Sequence, residues 1–232
     1  VLILWVFKVS IKDLGVVLLP NVKCSIFAEY RMQAAAFIAT GGAYFVNTPH
    51  ITLIHIANLN EESQGEIRGK FLEFSQDKAG DYNLPIKGIK ATGGDSETGF
   101  KWLDLQFHTL PPLADLRAMA VATFCPLHNG TLTRMFDDPN NFAEGSQSLE
   151  DIAKCGVAFS SYTPHITAWY VDLPNVSKSK LLEGVANDPL VASGIEDLSC
   201  YATAIALVEL GRNGNAIEVI EQVSILSVDY DL

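Results

Sequence analysis

The sequence predicts an α+β fold in which mostly antiparallel sheets carry helices on their outer faces. Short runs of β-branched and aromatic residues, closed by Gly, Pro or Asn, recur at 16–19, 50–56, 84–91, 100–107, 165–171, 199–210 and 216–226, the pattern of buried or half-buried strands. Longer stretches with helical apolar spacing lie between them, at 26–39, 61–77 and 111–127. Gly211-Arg212-Asn213-Gly214 joins two of the strand runs directly, and such a turn makes neighbours antiparallel.

The elements follow in order. The apolar run Val1 to Phe7 is too short to cross a bilayer and reads as a first strand. Val16-Val17-Leu18-Leu19 is a buried strand that Pro20-Asn21 closes. A helix capped by Ser25 runs from Ile26 to Ala39 and stops at Gly41-Gly42, since glycine favours the helix C-terminus. After the strand at 50–56 the chain turns at Asn58 to Asn60. Glu61 to Asp77 is an amphipathic helix with Ile67, Phe71, Leu72 and Phe74 apolar.

A strand at 84–91, a turn at Gly93-Gly94-Asp95 and an alternating strand Phe100 to Phe107 make a hairpin whose second strand is half-exposed. Pro111-Pro112 opens a helix to about Leu127, its inner side formed by Leu113, Leu116, Met119, Ala120 and Phe124. Residues 129–147 are polar and loop-like, followed by a short helix at 149–154. The strand at 165–171 leads past Pro174 to a helix from Ser177 to Val185, and the last hairpin closes the chain.

At 232 residues and 48% hydrophobic content the chain can bury a substantial core. A formal net charge of −11 argues against a broad basic face tracking a nucleic acid backbone. Cys24, Cys125, Cys155 and Cys200 are scattered, with no Cys-x-x-Cys pair, so the spacing indicates neither a zinc ribbon nor a disulfide framework. Buried free thiols and a cytoplasmic location are the expectation, with secretion as the alternative.

One tetrapeptide stands out: Pro49-His50-Ile51-Thr52 returns as Pro164-His165-Ile166-Thr167. Histidine occurs five times in the chain, and two of the five take equivalent places in matching strand contexts. Alternate side chains of a strand share a face, so His50 projects beside Thr52 and His165 beside Thr167. Two such strands facing one space make a phosphate site: one imidazole takes a proton, the other gives one, and the hydroxyls hold the phosphoryl oxygens. Which histidine plays which part is open. The bland alternative is two satisfied histidines at strand starts, unrelated in space. Zinc is a poor fit, because no Cys, Asp or further His stands at ligand spacing.

Regular alternation places His55 on the face opposite His50, a structural position, and leaves His108 and His128 without a role. Tyr44, Phe45, Trp102, Trp169, Tyr170 and Tyr201 are aromatic residues able to stack on a base, with core packing the commoner use; Trp169 shares the face of His165 and Thr167 if its strand is regular, and is the stacking candidate. Arg68, Lys101 and Arg134 are candidate phosphate helpers, and Asp137-Asp138 would repel a polyanion. No Gly-rich phosphate loop is present.

The paired motif, written His50-Ile51-Thr52-Leu53 and His165-Ile166-Thr167-Ala168, resembles that of the two-histidine (2H) phosphoesterase superfamily, which includes 2′-5′ RNA ligase-like proteins and cyclic phosphodiesterases. The second copy departs mildly, ending in small Ala168. The resemblance implies one domain, residues 1–232, of two pseudo-symmetric lobes around a cleft bearing both motifs. It implies His50 and His165 as acid and base, and Thr52 and Thr167 on the phosphate. The implied reaction is metal-independent cleavage or ligation of 2′,3′-cyclic phosphates or 2′-5′-linked nucleotides, with no cofactor. The expected partner is a small nucleotide or short RNA end, bound by a monomer without membrane attachment. A nucleotide-binding module that does no chemistry is the main alternative, and an interaction protein with an accidental motif a third.

Overall fold

The computed structural model describes residues 12–42, 47–59, 61–92, 102–127, 162–170, 176–211 and 214–226. The expected strand at Val1 to Phe7, the Gly93-Gly94-Asp95 turn, the polar stretch 129–147 and the helix at 149–154 lie outside them. So do Tyr44, Phe45, Lys101, His128, Arg134, Asp137 and Asp138.

Seven strands are described, in two sheets. β1 (Lys12–Pro20), β2 (Ile51–Leu59), β6 (Ala202–Leu210) and β7 (Ala216–Ser224) form the first, in the order β2-β1-β6-β7. β3 (Ile86–Thr92), β4 (Trp102–Phe107) and β5 (His165–Tyr170) form the second, in that order. Every neighbouring pair is antiparallel, so the fold is α+β, as the sequence predicts. Each sheet holds one copy of the repeated motif.

The first helical run has three parts: α1 (Val22–Ile26), a wider π-helical turn (Phe27–Met32) and α2 (Gln33–Thr40). Its cap differs from the expectation. Asn21 occupies the cap position, and Ser25 lies inside the helix with its hydroxyl directed to the Pro20 carbonyl at 3.5 Å. The Asn21 carboxamide leaves the helix altogether, donating to the Ser199 carbonyl at 3.1 Å. Gly41, at φ 72°, ends the run as expected, because the left-handed conformation there suits a residue without Cβ.

α3 (Glu61–Ser75) and α4 (Pro111–Phe124) pack on each other, and both pack on β2 of the first sheet. The π-turn and α2 pack instead on β5 of the second sheet, and α5 (Lys178–Ala186) covers α2 and β3. Helices are thus exchanged: the run that leaves β1 covers the other sheet, and α4, which follows β4, covers the first. One apolar cluster joins the inner faces of both sheets, from Leu14, Val16 and Leu18 to Leu103, Leu105 and Trp169.

Four further points depart from the sequence reading. Leu72 and Met119 are exposed rather than inward, while Ile67, Phe71, Phe74, Leu113, Leu116, Ala120 and Phe124 are buried. β4 is not half-exposed: as the central strand of its sheet it is buried on both faces from Leu103 to Phe107. A further helix, α6 (Pro189–Glu196), is present; Asp188 accepts from the Leu190 and Val191 amides at 2.9 and 3.2 Å, and Pro189 opens the first turn. The fourth concerns the cysteines. Cys24 and Cys200 form a disulfide across 176 residues of sequence, with Cα atoms 5.4 Å apart, and Cys125 is disulfide-bonded too.

No free cysteine occurs among the described residues. Structural disulfides belong to oxidising compartments and are rare in the cytosol, so the free-thiol expectation fails and no longer supports a cytoplasmic location. The bridge ties the start of α1 to the segment entering β6, where Asn21 already pairs with Tyr201 through backbone atoms at 2.9 Å. Among the described residues no helix is long and apolar enough to cross a membrane.

Cross-linking over so long a loop removes much freedom from the unfolded chain. The Cys24→Ala/Cys200→Ala double variant is therefore expected to be about 2–5 kcal/mol less stable in urea denaturation under oxidising conditions. An unchanged midpoint would show that the bridge contributes nothing.

Candidate active site

The two motif histidines are held in the same way. His50 Nδ1 lies 2.7 Å from the Thr48 carbonyl and His165 Nδ1 lies 2.8 Å from the Thr163 carbonyl, each two residues back along its own chain. A carbonyl only accepts, so each Nδ1 carries a proton and donates it. In the neutral ring Nε2 then bears the free lone pair. Pro49 and Pro164 stand between each histidine and its acceptor, and proline's restriction of the preceding residue favours the extended backbone from which that carbonyl is offered.

Asn47 brings the strands together. Its carboxamide donates to the Thr167 carbonyl on β5 at 3.2 Å and accepts from the Ala216 amide on β7 at 2.9 Å. The Thr48 backbone amide also donates a hydrogen bond to the Ala216 carbonyl at 3.1 Å. The segment that delivers His50 is thereby fastened to the second motif and to the edge of the first sheet at once. Tyr162 makes a further link, its hydroxyl donating to the Thr52 carbonyl at 3.1 Å. Its ring lies under the Arg117 guanidinium, 4.6 Å from the ring centroid, and burial pushes its phenol up.

Both motif strands slip by one residue directly after the threonine. On β2, Thr52 is opposite Val17 but Ile54 is opposite Val16, leaving Leu53 as the extra residue. On β5, Thr167 is opposite Asp104 but Trp169 is opposite Leu103, leaving Ala168 extra. A bulge of this kind interrupts the alternation, so the following residues change faces. Two expectations are overturned by it. Trp169 is turned into the core, 0% exposed, its indole against Gly42 where a Cβ would stand 2.5 Å from the ring; it is not a stacking surface. His55 is turned the other way and joins Thr52 and, by alternation, His50.

The second sheet presents an ordered grid on the motif face. Cross-strand partners set Gly88, Gln106 and His165 in one row, Lys90, Asp104 and Thr167 in the next, and Thr92, Trp102 and Tyr170 in the third. Trp102 and Tyr170, with ring centroids 6.3 Å apart, hold the place foreseen for Trp169. Asp104 is 2% exposed and accepts hydrogen bonds from Thr92 Oγ1 and, at 2.9 Å, from Thr167 Oγ1. A hydroxyl has one proton to give. As the side chains stand, Thr167 gives it to Asp104, so a phosphoryl oxygen would receive it only after the hydroxyl turns. The Thr52 hydroxyl has no such partner among the described residues.

The electrostatics distinguish the histidines. Burial, opposed by the Thr48 carbonyl and reinforced by the charge of His165, lowers the His50 pKa to about 4. Burial and the charges of His50 and His165 lower that of His55 to about 3. Three imidazoles therefore lie within electrostatic reach of one another. Among the described residues no group of three His, Cys, Asp or Glu is placed to hold a metal ion. Of the other candidates, Arg68 is engaged by Glu221, its Nε and Nη2 donating to Oε2 at 3.1 and 2.6 Å, and Tyr201 is partly exposed beside the disulfide.

Sequence reasoning missed Asn47, Asp104 and His55. Asp104 carried the signal of an acidic residue in an apolar strand, and Asn47 that of a carboxamide three positions before a motif histidine.

No family model matches the chain, and no curated protein matches it. Solved structures with some likeness include TT0787 of Thermus thermophilus, at 13% identity over 92% of this chain and 97% of that one, with a TM-score of 0.48. E. coli LigT complexed with 3′-AMP shows 12% identity over 93% and 98%, TM-score 0.48. A phosphoesterase shows 12% identity over 93% and 99%, TM-score 0.44. Likeness at this level says nothing of chemistry.

The lowered histidine pKa values make stability depend on pH in a known direction. The unfolded chain takes up protons below about pH 6.5 that folded His50 and His55 refuse, so stability present above that pH is lost as pH falls toward 4 and 3 respectively. Between pH 7 and pH 4.5 each histidine is expected to remove about 2 kcal/mol. Urea titrations of wild type and His50→Asn at both pH values check this: the variant's loss should be smaller, and equal losses would contradict it.

Proposed function

We propose that the protein is a metal-independent phosphoesterase of the two-histidine kind, acting on 2′,3′-cyclic phosphates or 2′-5′-linked nucleotides. The observation that carries the reading is the matched tethering of His50 and His165 by carbonyls two residues back, on strands of two sheets joined by Asn47. Both Nδ1 positions are committed, so both Nε2 positions are left for proton transfer. The sequence motif that resembles the 2H superfamily supports the same assignment.

In the hydrolytic direction a neutral imidazole takes a proton from water as its oxygen attacks phosphorus. The bond from phosphorus to the departing ribose oxygen breaks, and that oxygen receives a proton from the second imidazole. His50 suits the base, because burial keeps it neutral, and His165 is then the acid. Thr52 donates to a phosphoryl oxygen directly; Thr167 does so after releasing Asp104. The gain comes from positioning and proton transfer together.

A second reading, a nucleotide-binding module without turnover, is favoured by one observation: the Thr167 proton is spent on Asp104. Incubation with the four nucleoside 2′,3′-cyclic phosphates in EDTA separates the two. Wild type is expected to turn over at least one of them, and His50→Ala and His165→Ala each to lose at least about 10²-fold in kcat while remaining folded. Binding without turnover would favour the module, and neither binding nor turnover would reject a nucleotide ligand.

A further inference from the structure

His55 has no task in the chemistry just described, yet it occupies the site. It lies three residues beyond Thr52 across the Leu53 bulge, opposite Gly15 and on the face of Thr52. It is 6% exposed, and among the described residues neither of its buried ring nitrogens has a hydrogen-bond partner. A buried polar ring with two unmade bonds costs stability that an apolar ring would not. On the same face of the sheet lie the apolar cluster of Val17, Ala206, Val208, Leu210 and Ala216 and, two residues before Gly15, buried Asp13, yet among the described residues neither ring nitrogen has a hydrogen-bond partner.

The ring is neutral, for burial and its two histidine neighbours hold its pKa at about 3. A neutral imidazole offers one N–H and one lone pair. A phosphate oxygen can meet only the N–H, whereas a hydroxyl can meet either nitrogen, accepting from the N–H or donating to the lone pair. Counting the bulge as one step lost, His55 lies about two strand residues, roughly 7 Å, along from Thr52, the distance at which the sugar of a phosphate ester continues away from its phosphorus.

We infer that His55 is a specificity-determining residue: with a phosphoryl group between His50 and His165, its imidazole turns to bring one of its buried ring nitrogens into a hydrogen bond with a hydroxyl of the attached sugar. The assignment rests on the proposed function and deepens it, naming what distinguishes a sugar phosphate from phosphate alone. His55 thereby becomes a binding residue, with no part in proton transfer.

Calorimetric titration of wild type, His55→Phe and His50→Ala with inorganic phosphate, adenosine 3′-monophosphate and uridine 3′-monophosphate tests it. His55→Phe is expected to weaken both nucleotides equally, by about 3- to 10-fold, to leave phosphate unchanged, and to raise the melting temperature of the unliganded protein. His50→Ala should weaken all three. A purely structural His55 would give the opposite sign in melting temperature and unchanged nucleotide affinity, which would overturn the assignment alone. A loss confined to one base, or shared by phosphate, would overturn it as well. Should wild type bind none of the three, the proposed function falls and this assignment with it. Imidazole ¹⁵N spectra of wild type keep the test independent of the variant's folding: nucleotide should shift the His55 nitrogens and phosphate should not, and the reverse would sink the idea.

Discussion

The site depends on the carboxamide of Asn47. One side chain holds the Thr167 carbonyl, the Ala216 amide and, through its own backbone, the entry to His50. Without it the two motif strands, on separate sheets, would share apolar contact and the single Tyr162 bond to the Thr52 carbonyl, and apolar contact fixes distance better than direction. Hydrogen bonds supply the direction. A buried amide with both ends satisfied is also costly to displace, because each released partner would be left unpaired. The constraint is local in sequence to the first histidine and remote from the second, which is how a linear motif becomes a spatial one.

On that frame the two bulges decide what each strand shows. Each follows the motif threonine immediately, so both strands offer histidine, threonine and then the third residue beyond: His55 in one, Tyr170 in the other. The arrangement is symmetric in backbone and unlike in chemistry. The first strand adds a neutral ring without a hydrogen-bond partner among the described residues; the second adds an aromatic pair with Trp102 and ties its threonine to a buried carboxylate. A chemically lopsided site on a symmetric frame is what a two-ended ligand would need, with phosphate shared between the halves and its substituents treated differently.

The sequence made much of this legible. Most of the strands, their antiparallel character and the repeated histidine and threonine can be read from β-branched runs, turn residues and the tetrapeptide itself; the strand order within each sheet cannot. Two of the departures share one cause: counting in twos misplaces His55 and Trp169, because a single extra residue exchanges the faces of everything after it, and neither Leu53 nor Ala168 announces a bulge. Asp104 takes its meaning from register with Thr167, which no local pattern encodes. The Cys24–Cys200 bridge was hidden for a related reason, since pairing across most of a chain cannot be deduced from spacing. The α6 helix was a plainer omission: Asp188-Pro189 is a readable start signal.

β1 lies between β2 and β6 in the first sheet, so one of its neighbours comes soon after it in the chain and the other near the far end. During synthesis the β1–β2 pair would form early and then wait with an open edge, its unpaired amides and carbonyls exposed, until β6 emerged to cover them. Contacts of such long sequence separation slow folding and extend the time during which an edge can pair with the wrong partner. The exchanged helices lengthen that wait, for the surface that α2 covers on β5 is also made late. The burden falls on biosynthesis: this fold would gain from a chaperone that shields strand edges, and its halves, expressed apart, would each lack the layer that the other provides.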